Sequence, residues 1–163
     1  MGATIAAFGP LNCRTMPLLR GDFLRCHLSY LKQEGVMSQA IRIDQSELPF
    51  EQWDDPARGN VLFKTLICAQ RTPSNSLVCG LASMRAGDTF ALHSHPQAEV
   101  YFGLQGQGDV MIDGQSYSMS PGVALFIPSG AVHGVPIAKG DLQWFYTFAV
   151  DRFDQIAYQF SPV

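Results

Sequence analysis

Residues 87–101 read GDTFALHSHPQAEVY, and this stretch brings two histidines and a carboxylate close together along the chain. His93 and His95 are two residues apart in a predicted strand, so their side chains point to the same face. Their Cα atoms are then about 6.5 Å apart, because each strand residue rises about 3.3 Å. Both imidazoles can therefore reach one metal ion. A bend predicted at 96–98 lets Glu99 return on a second strand and add an anionic oxygen ligand.

A third histidine, His133, follows the predicted turn at 128–130, which ends one strand and starts another. Three of the four histidines of the chain thus fall in one array. We predict that His133 completes a cage with the three residues above, on three neighbouring strands, around one divalent transition metal ion. The remaining histidine, His27, is predicted to lie on the surface of a helix and outside the cage.

The sequence after Val61 consists of short runs of β-branched, aromatic and aliphatic residues separated by turn signals. Strands at such short and fairly regular spacing are typical of an all-β sandwich or barrel. Asp113-Gly114, between the segments 109–112 and 115–119, predicts a two-residue hairpin. The fold class predicted for this part of the chain is therefore all-β.

The first sixty residues have a different texture. Apolar residues recur at three- and four-residue steps between Leu18 and Met37, which predicts one amphipathic helix. Residues 44–60 mix turn formers with Trp53 and predict a loop laid over a core. We therefore expect residues 1–60 to form a helix and a covering segment packed on a barrel of residues 61–163, the two parts making a single folding domain.

The spacing of these residues resembles the two signature motifs of the cupin superfamily. The pattern G-x5-H-x-H-x3-E-x6-G is complete over 87–106, and G-x5-P-x-G-x2-H is present over 122–133, with Ile137 where the family usually has Asn. The resemblance covers about residues 77–150. It implies a double-stranded β-helix, or jelly-roll barrel, with an N-terminal helical extension, and a metal site at the four residues named above. Iron, manganese, nickel, cobalt and zinc all remain candidates for the ion.

Tyr101 shares the strand face of Glu99 and is the predicted catalytic residue. A phenol beside a divalent cation can lose its proton more easily than usual and act as a base or as an extra ligand. The alternative is a tyrosine that fills the barrel beneath the metal. The pattern His-x-His-x3-Glu-x-Tyr is also similar to that of cupin lyases that cleave dimethylsulfoniopropionate, in which this tyrosine acts on the substrate.

Strand alternation also predicts an apolar outer face, formed by Phe90, Leu92, Val100, Phe102 and Leu104. An apolar surface of this kind must be covered. We expect the N-terminal helix to cover part of it and a second subunit to cover the rest, since cupin dimers usually pack sheet against sheet.

Two further features stay open in the sequence. The aromatic run Trp144–Phe148 predicts a strand buried on both sides, and either parity could line the pocket. Cys79 could be a nucleophile near the metal or a small buried hydrophobic residue.

Composition limits the function further. The chain of 163 residues is 47% hydrophobic and 15% charged, with a net charge of −3 and scattered basic residues, which argues against nucleic acid as a partner. No apolar run approaches the roughly 18 residues of a membrane span, and the four cysteines form no C-x-x-C pair. We expect a cytoplasmic protein with reduced cysteines.

The expected function is that of a metal-dependent enzyme acting on a small organic molecule. The resemblance favours a dioxygenase, because such enzymes are frequent among cupins. A lyase or isomerase, of the dimethylsulfoniopropionate-lyase or sulfur-metabolism kind with Tyr101 as base, is the first alternative. A non-catalytic cupin that binds a small molecule is the second.

Overall fold

Ten antiparallel strands form two facing sheets in the computed structural model, which describes residues 39–160. One sheet has the order β1-β2-β9-β4-β7 and the other the order β10-β3-β8-β5-β6. The strands are β1 Leu62–Ile67, β2 Val78–Met84, β3 Phe90–Ser94, β4 Glu99–Gly106, β5 Gly108–Ile112, β6 Gln115–Met119, β7 Ala124–Ile127, β8 His133–Val135, β9 Leu142–Phe148 and β10 Gln159–Phe160. Three single-turn 3-10 helices also occur, at Gln45–Glu47, Pro56–Arg58 and Phe153–Gln155.

The predicted all-β fold class is confirmed by these two sheets. The helix predicted between Leu18 and Met37, with His27, lies outside the described residues, as do Cys13 and Cys26. The division of the chain at residue 60 stays a prediction. Within residues 39–160, no helix is both long and apolar enough to cross a membrane.

The predicted hairpin joins β5 to β6 through a two-residue turn. Asp113 and Gly114 have φ angles of 46° and 77°, the left-handed values that this tight turn requires at both positions. Asp113 also ties the hairpin to the loop before β8, because the Val132 amide donates to its carboxylate at 2.9 Å and its own amide donates to the Val132 carbonyl at 2.8 Å. The turn therefore helps to position His133, the residue that follows.

Alternation along β9 decides which aromatic side chains face the core. Leu142, Trp144, Tyr146 and Phe148 are buried and belong to the core, whereas the residues between them are partly exposed. The sequence left open which face of this strand lines the pocket, and the structure shows that it is the face of Trp144, Tyr146 and Phe148. These three side chains line the interior of the barrel.

The prediction that Phe90 faces outward is wrong. Phe90 pairs with Val135, and His93 pairs with His133. Three residue steps along β3 therefore match only two along β8, so β3 bulges between Phe90 and His93. The extra residue turns Phe90 to the same interior as His93, with their ring centroids 4.4 Å apart. Gly134 lies opposite the bulge, where a Cβ atom would come within 2.7 Å of the Phe90 carbonyl oxygen.

The other residues of the predicted outer face keep their predicted orientation. Phe102 and Leu104 are each 40% exposed in the described part of the chain, and Leu92 and Val100 are partly exposed. The homodimer expected from this face stays a prediction.

Residues 51–60 cross from one sheet to the other. Glu51 forms a bridge with Phe63 on β1, and Gly59 forms one with Phe90 on β3. Trp53 lies between these two anchors and packs on the core, as expected for a covering segment. The segment therefore spans the side of the sandwich where β1 and β10 are the edge strands.

Candidate metal centre and its cavity

The structure brings the four predicted ligand residues together inside the sandwich. His93 on β3 pairs directly with His133 on β8, and His95 follows one residue after the end of β3. Glu99, the first residue of β4, reaches them from the facing sheet. Two of the strands are therefore paired in one sheet, and the third belongs to the facing sheet. Burial is nearly complete, with 0% to 3% of each residue exposed.

Backbone carbonyls orient all three imidazoles. Each Nδ1 atom lies 2.8 to 2.9 Å from a carbonyl oxygen: that of Ala91 for His93, Gln97 for His95 and Ala131 for His133. A carbonyl oxygen can only accept, so each neutral ring carries its proton on Nδ1 and leaves a lone pair on Nε2. Histidines that bind a metal through one ring nitrogen usually make a hydrogen bond of this kind with the other ring nitrogen.

The three lone pairs meet a carboxylate in a buried space. The ligand atoms of the three histidines lie within 4.8 Å of one another. Oε2 of Glu99 lies 3.1 Å from Nε2 of His133 and 3.4 Å from Nε2 of His95. Nε2 of His93 and of His95 are buried without a hydrogen-bond partner among the described residues. Lone pairs facing a buried carboxylate are unfavourable unless a cation joins them, so the donor set fits a metal ion.

Burial also keeps the imidazole of His93 neutral. It lowers the pKa of His93 to about 3, with a smaller contribution from the nearby His133 ring. A neutral imidazole is the form that binds metals. The three buried histidines can therefore hold a metal ion, and imidazole with carboxylate is a donor set that suits divalent transition metals.

A cavity that is partly open to solvent adjoins this cluster. Within residues 39–160, the only charged or titratable groups that line it besides the phenols are His93 and Glu99, and no lysine or arginine of this range does so. The aromatic residues of the wall outnumber all others. They are Trp53, Phe63, Phe90, Tyr101, Trp144, Tyr146, Phe148, Phe153 and Tyr158.

Tyr101 lines this cavity, on the strand face shared with Glu99. Its ring centroid lies 6.1 Å from that of His133 and 5.4 Å from that of Trp144. Burial, and then the neighbouring Glu99 carboxylate, raise the pKa of its phenol well above the ordinary value. The structure thus places Tyr101 next to the histidine cluster, in the position that either of its two predicted roles requires.

Cys79 lies on β2 and is not among the residues that line the cavity. Ala82 of the same strand does line it, and Cys79 has the opposite parity. Burial raises the pKa of the Cys79 thiol, which favours its protonated form. These observations favour the second interpretation of Cys79, a small buried hydrophobic residue.

Sequence reasoning missed the residues that close the cavity above His93. We call Trp53, Tyr158 and Phe160 the aromatic cover. Their ring centroids lie 5.2 to 6.0 Å from one another, and those of Tyr158 and Phe160 each lie 5.4 Å from that of His93. The pairing of β10 with β3, Phe160 opposite His93, holds two of them there. The one signal in the sequence is the pair of aromatic residues two apart near the C-terminal end.

Comparison with known proteins agrees with this architecture. The family model described as Cupin domain matches residues 80–148. The dimethylsulfoniopropionate lyase DddW of Ruegeria pomeroyi is 36% identical over 119 residues, which cover 73% of this chain and 78% of DddW. This chain belongs to the cupin superfamily.

Solved structures support the same fold for this cupin. The polyketide cyclase RemF from Streptomyces resistomycificus matches with a TM-score of 0.64 and 17% identity, over 77% of this chain and 87% of RemF. A chain from the DMSP lyases RdDddP and RnDddQII matches with a TM-score of 0.60 and 14% identity, over 71% of this chain and 63% of the other. At these identities the likeness concerns the fold of the cupin and not its reaction.

Proposed function

We propose that this cupin is a metal-dependent lyase that cleaves dimethylsulfoniopropionate into dimethyl sulfide and acrylate. The observation that carries the proposal is the cavity wall, which combines a cluster of groups able to bind a metal with many aromatic side chains and, in the described part of the chain, no lysine or arginine. The substrate is a short zwitterion with a carboxylate at one end and a sulfonium cation at the other. The relative DddW, a dimethylsulfoniopropionate lyase, supports the same reading.

The cluster would hold one divalent ion through Nε2 of His93, His95 and His133 and a carboxylate oxygen of Glu99. The orientation of the three rings and the unpaired Nε2 atoms support this ligand set. When bound, the ion supplies a Lewis acid that polarises the substrate carboxylate and lowers the pKa of a nearby phenol.

The aromatic wall would receive the cationic end of the substrate. Cations are attracted to the faces of tryptophan, tyrosine and phenylalanine, by about 2 kcal/mol or more where water is excluded. Tyr101, Tyr146 and Phe148 present such rings on the interior of β4 and β9. A cavity lined in this way favours substrates that carry a cationic end.

Tyr101 would act as the general base. Its phenolate oxygen takes the proton from the carbon next to the carboxylate, a double bond forms between this carbon and its neighbour, and the carbon–sulfur bond breaks. The electron pair of that bond leaves with the sulfur. The products are acrylate and neutral dimethyl sulfide, and the proton remains on Tyr101. The reaction consumes no oxidant.

The proposal is tested with protein purified without a metal-binding tag, first analysed for bound metals and then supplied with dimethylsulfoniopropionate. We expect dimethyl sulfide and acrylate to appear in equal amounts, by headspace gas chromatography and liquid chromatography, with no uptake of oxygen. Oxygen consumption with small diketones or catechols, and no dimethyl sulfide, would support the dioxygenase prediction instead. Binding of the substrate without turnover by the metal-loaded protein would support the non-catalytic alternative.

A further inference from the structure

Trp53 contributes to the cavity from outside the strands of the barrel. Its segment is anchored by Glu51, whose amide donates to the Phe63 carbonyl at 2.7 Å and whose carboxylate forms two hydrogen bonds with Arg71, at 2.7 and 2.8 Å. The ring of Trp53 packs edge-on against Tyr158, with centroids 5.2 Å apart. Tyr158 in turn lies against His93. The anchored segment therefore holds Trp53 one ring away from the metal-binding cluster.

The cavity wall carries buried donor groups that lack a partner among the described residues. These groups are the indole Nε1–H of Trp53 and that of Trp144. Leaving a buried donor unpaired costs about 1–3 kcal/mol, so native proteins seldom do so without a reason. A ligand rich in acceptor oxygens would pair such donors. Indole nitrogens donate and never accept, which makes Trp53 and Trp144 specific for acceptors.

Arg58 distinguishes Trp53 from the other rings of the wall. Its guanidinium carbon lies 5.1 Å from the centroid of the Trp53 ring and 5.0 Å from that of Phe160. Its Nε also lies 3.6 Å from Asp55, in a pair of exposed side chains, where ion pairs interact weakly. Because a cation already occupies the π system of Trp53, a second cation on this ring is disfavoured. The same positive charge favours an anionic group at the indole N–H.

We propose that Trp53 is a substrate-binding residue whose indole N–H donates a hydrogen bond to the substrate carboxylate. The carboxylate end of the substrate then lies under the aromatic cover, and the cationic end lies against the rings of β4 and β9. Trp53 thereby selects substrates with an oxygen anion at this end. That the substrate is dimethylsulfoniopropionate rests on the proposed function. That Trp53 recognises a short carboxylate does not depend on it.

The test uses the fact that the chain contains two tryptophans, so only two indole N–H signals arise from its side chains. Zinc-loaded, nitrogen-15-labelled protein is titrated with propionate, a carboxylate without a sulfonium group, and in parallel with trimethylsulfonium, a cation without a carboxylate. The variant Trp53→Phe assigns the two signals. We expect propionate to move the Trp53 indole proton downfield in a saturable manner, and trimethylsulfonium to move it much less.

Calorimetry on the same samples gives the strength of the contact. Trp53→Phe keeps a ring and removes the donor, so we expect its affinity for propionate to fall about tenfold or more. Phe160→Leu loosens the aromatic cover and keeps the donor, and its affinity should change clearly less. Propionate that fails to bind the zinc-loaded protein, or that binds wild type and Trp53→Phe equally, would overturn the inference. A Trp53 signal that responds to trimethylsulfonium alone would overturn it too.

The two proposals fail in different ways. A wild-type protein that binds propionate through Trp53 and releases no dimethyl sulfide would contradict the proposed lyase activity and leave the role of Trp53 intact. A protein that cleaves dimethylsulfoniopropionate with the same KM after Trp53→Phe would contradict the role of Trp53 and leave the lyase activity intact.

Discussion

The metal-binding cluster and the aromatic cover touch each other in space, yet they are built in opposite ways. The cluster comes from residues 93–133, is almost wholly buried, and has each imidazole fixed by a backbone carbonyl. The cover comes from residue 53 and from residues 158 and 160, is only partly buried, and is held by contacts between rings. The comparison indicates that the imidazoles of the cluster are fixed by hydrogen bonds to the backbone, while the cover depends on contacts between segments that are distant along the chain.

Removing an imidazole from the cluster should have the largest effect. His95→Ala and His133→Ala each delete one of three converging nitrogen ligands, and we expect both variants to lose bound metal and to fall to background turnover. Elemental analysis and a dimethyl sulfide assay measure the two losses. His27→Ala is the matched control, because it removes the fourth histidine of the chain, which is predicted to lie outside the cage. Full metal content in His133→Ala would contradict the assignment.

The next largest effect is expected at Tyr101, and it should differ from the effect of the same substitution at Tyr158. Tyr101→Phe should lower kcat by about 10²- to 10⁴-fold, the usual contribution of a general base, with metal content unchanged. Tyr158→Phe removes a phenol from the cover and should alter KM more than kcat. Steady-state kinetics on both variants make the comparison. If Tyr101→Phe turns over at the wild-type rate, Tyr101 fills the barrel and is not the base.

The smallest effect concerns the anchor of the covering segment. Arg71, through its hydrogen bonds, lowers the pKa of the Glu51 carboxyl below its ordinary value of 4.5. A depressed carboxyl pKa stabilises the folded state above pH 4.5, and this stability is lost as the pH falls through the folded-state pKa. Because the Arg71 side chain is 57% exposed and solvent screens the pair, Glu51→Gln should lower the free energy of unfolding at pH 7 by only about 0.5 kcal/mol, and by less at pH 3. Urea unfolding at both pH values measures this.

The same substitution also tests the comparison of the two regions. Because the anchor lies far from the imidazoles along the chain, Glu51→Gln should leave metal content unchanged while it raises KM. Loss of metal in Glu51→Gln would show that the cover and the cluster are one cooperative unit. An unfolding energy that drops equally at pH 3 and pH 7 would show that the charge of Glu51 is unimportant.

Local rules were sufficient where neighbours along the chain set the geometry. The two-residue turn at Asp113-Gly114 follows from the need for left-handed backbone at both positions, and Glu99 and Tyr101 share a face because strand side chains alternate. The spacing of His93, His95 and His133 was enough to predict that they meet. In the first two cases the physical constraint acts over a few residues, whereas His133 lies far along the chain from His93 and was included because it follows a predicted turn and completes the resemblance to the cupin motifs.

Only the tertiary structure decided the remaining features. The parity of Trp144–Phe148 is ambiguous in sequence because both faces are apolar, and the facing sheet settles it. Phe90 turns inward because β3 bulges against β8, which depends on the register of a partner more than forty residues away along the chain. Glu99 reaches its histidines across the sandwich, and the C-terminal strand brings Tyr158 and Phe160 over His93, since contacts between distant segments form only when the sheets pack together.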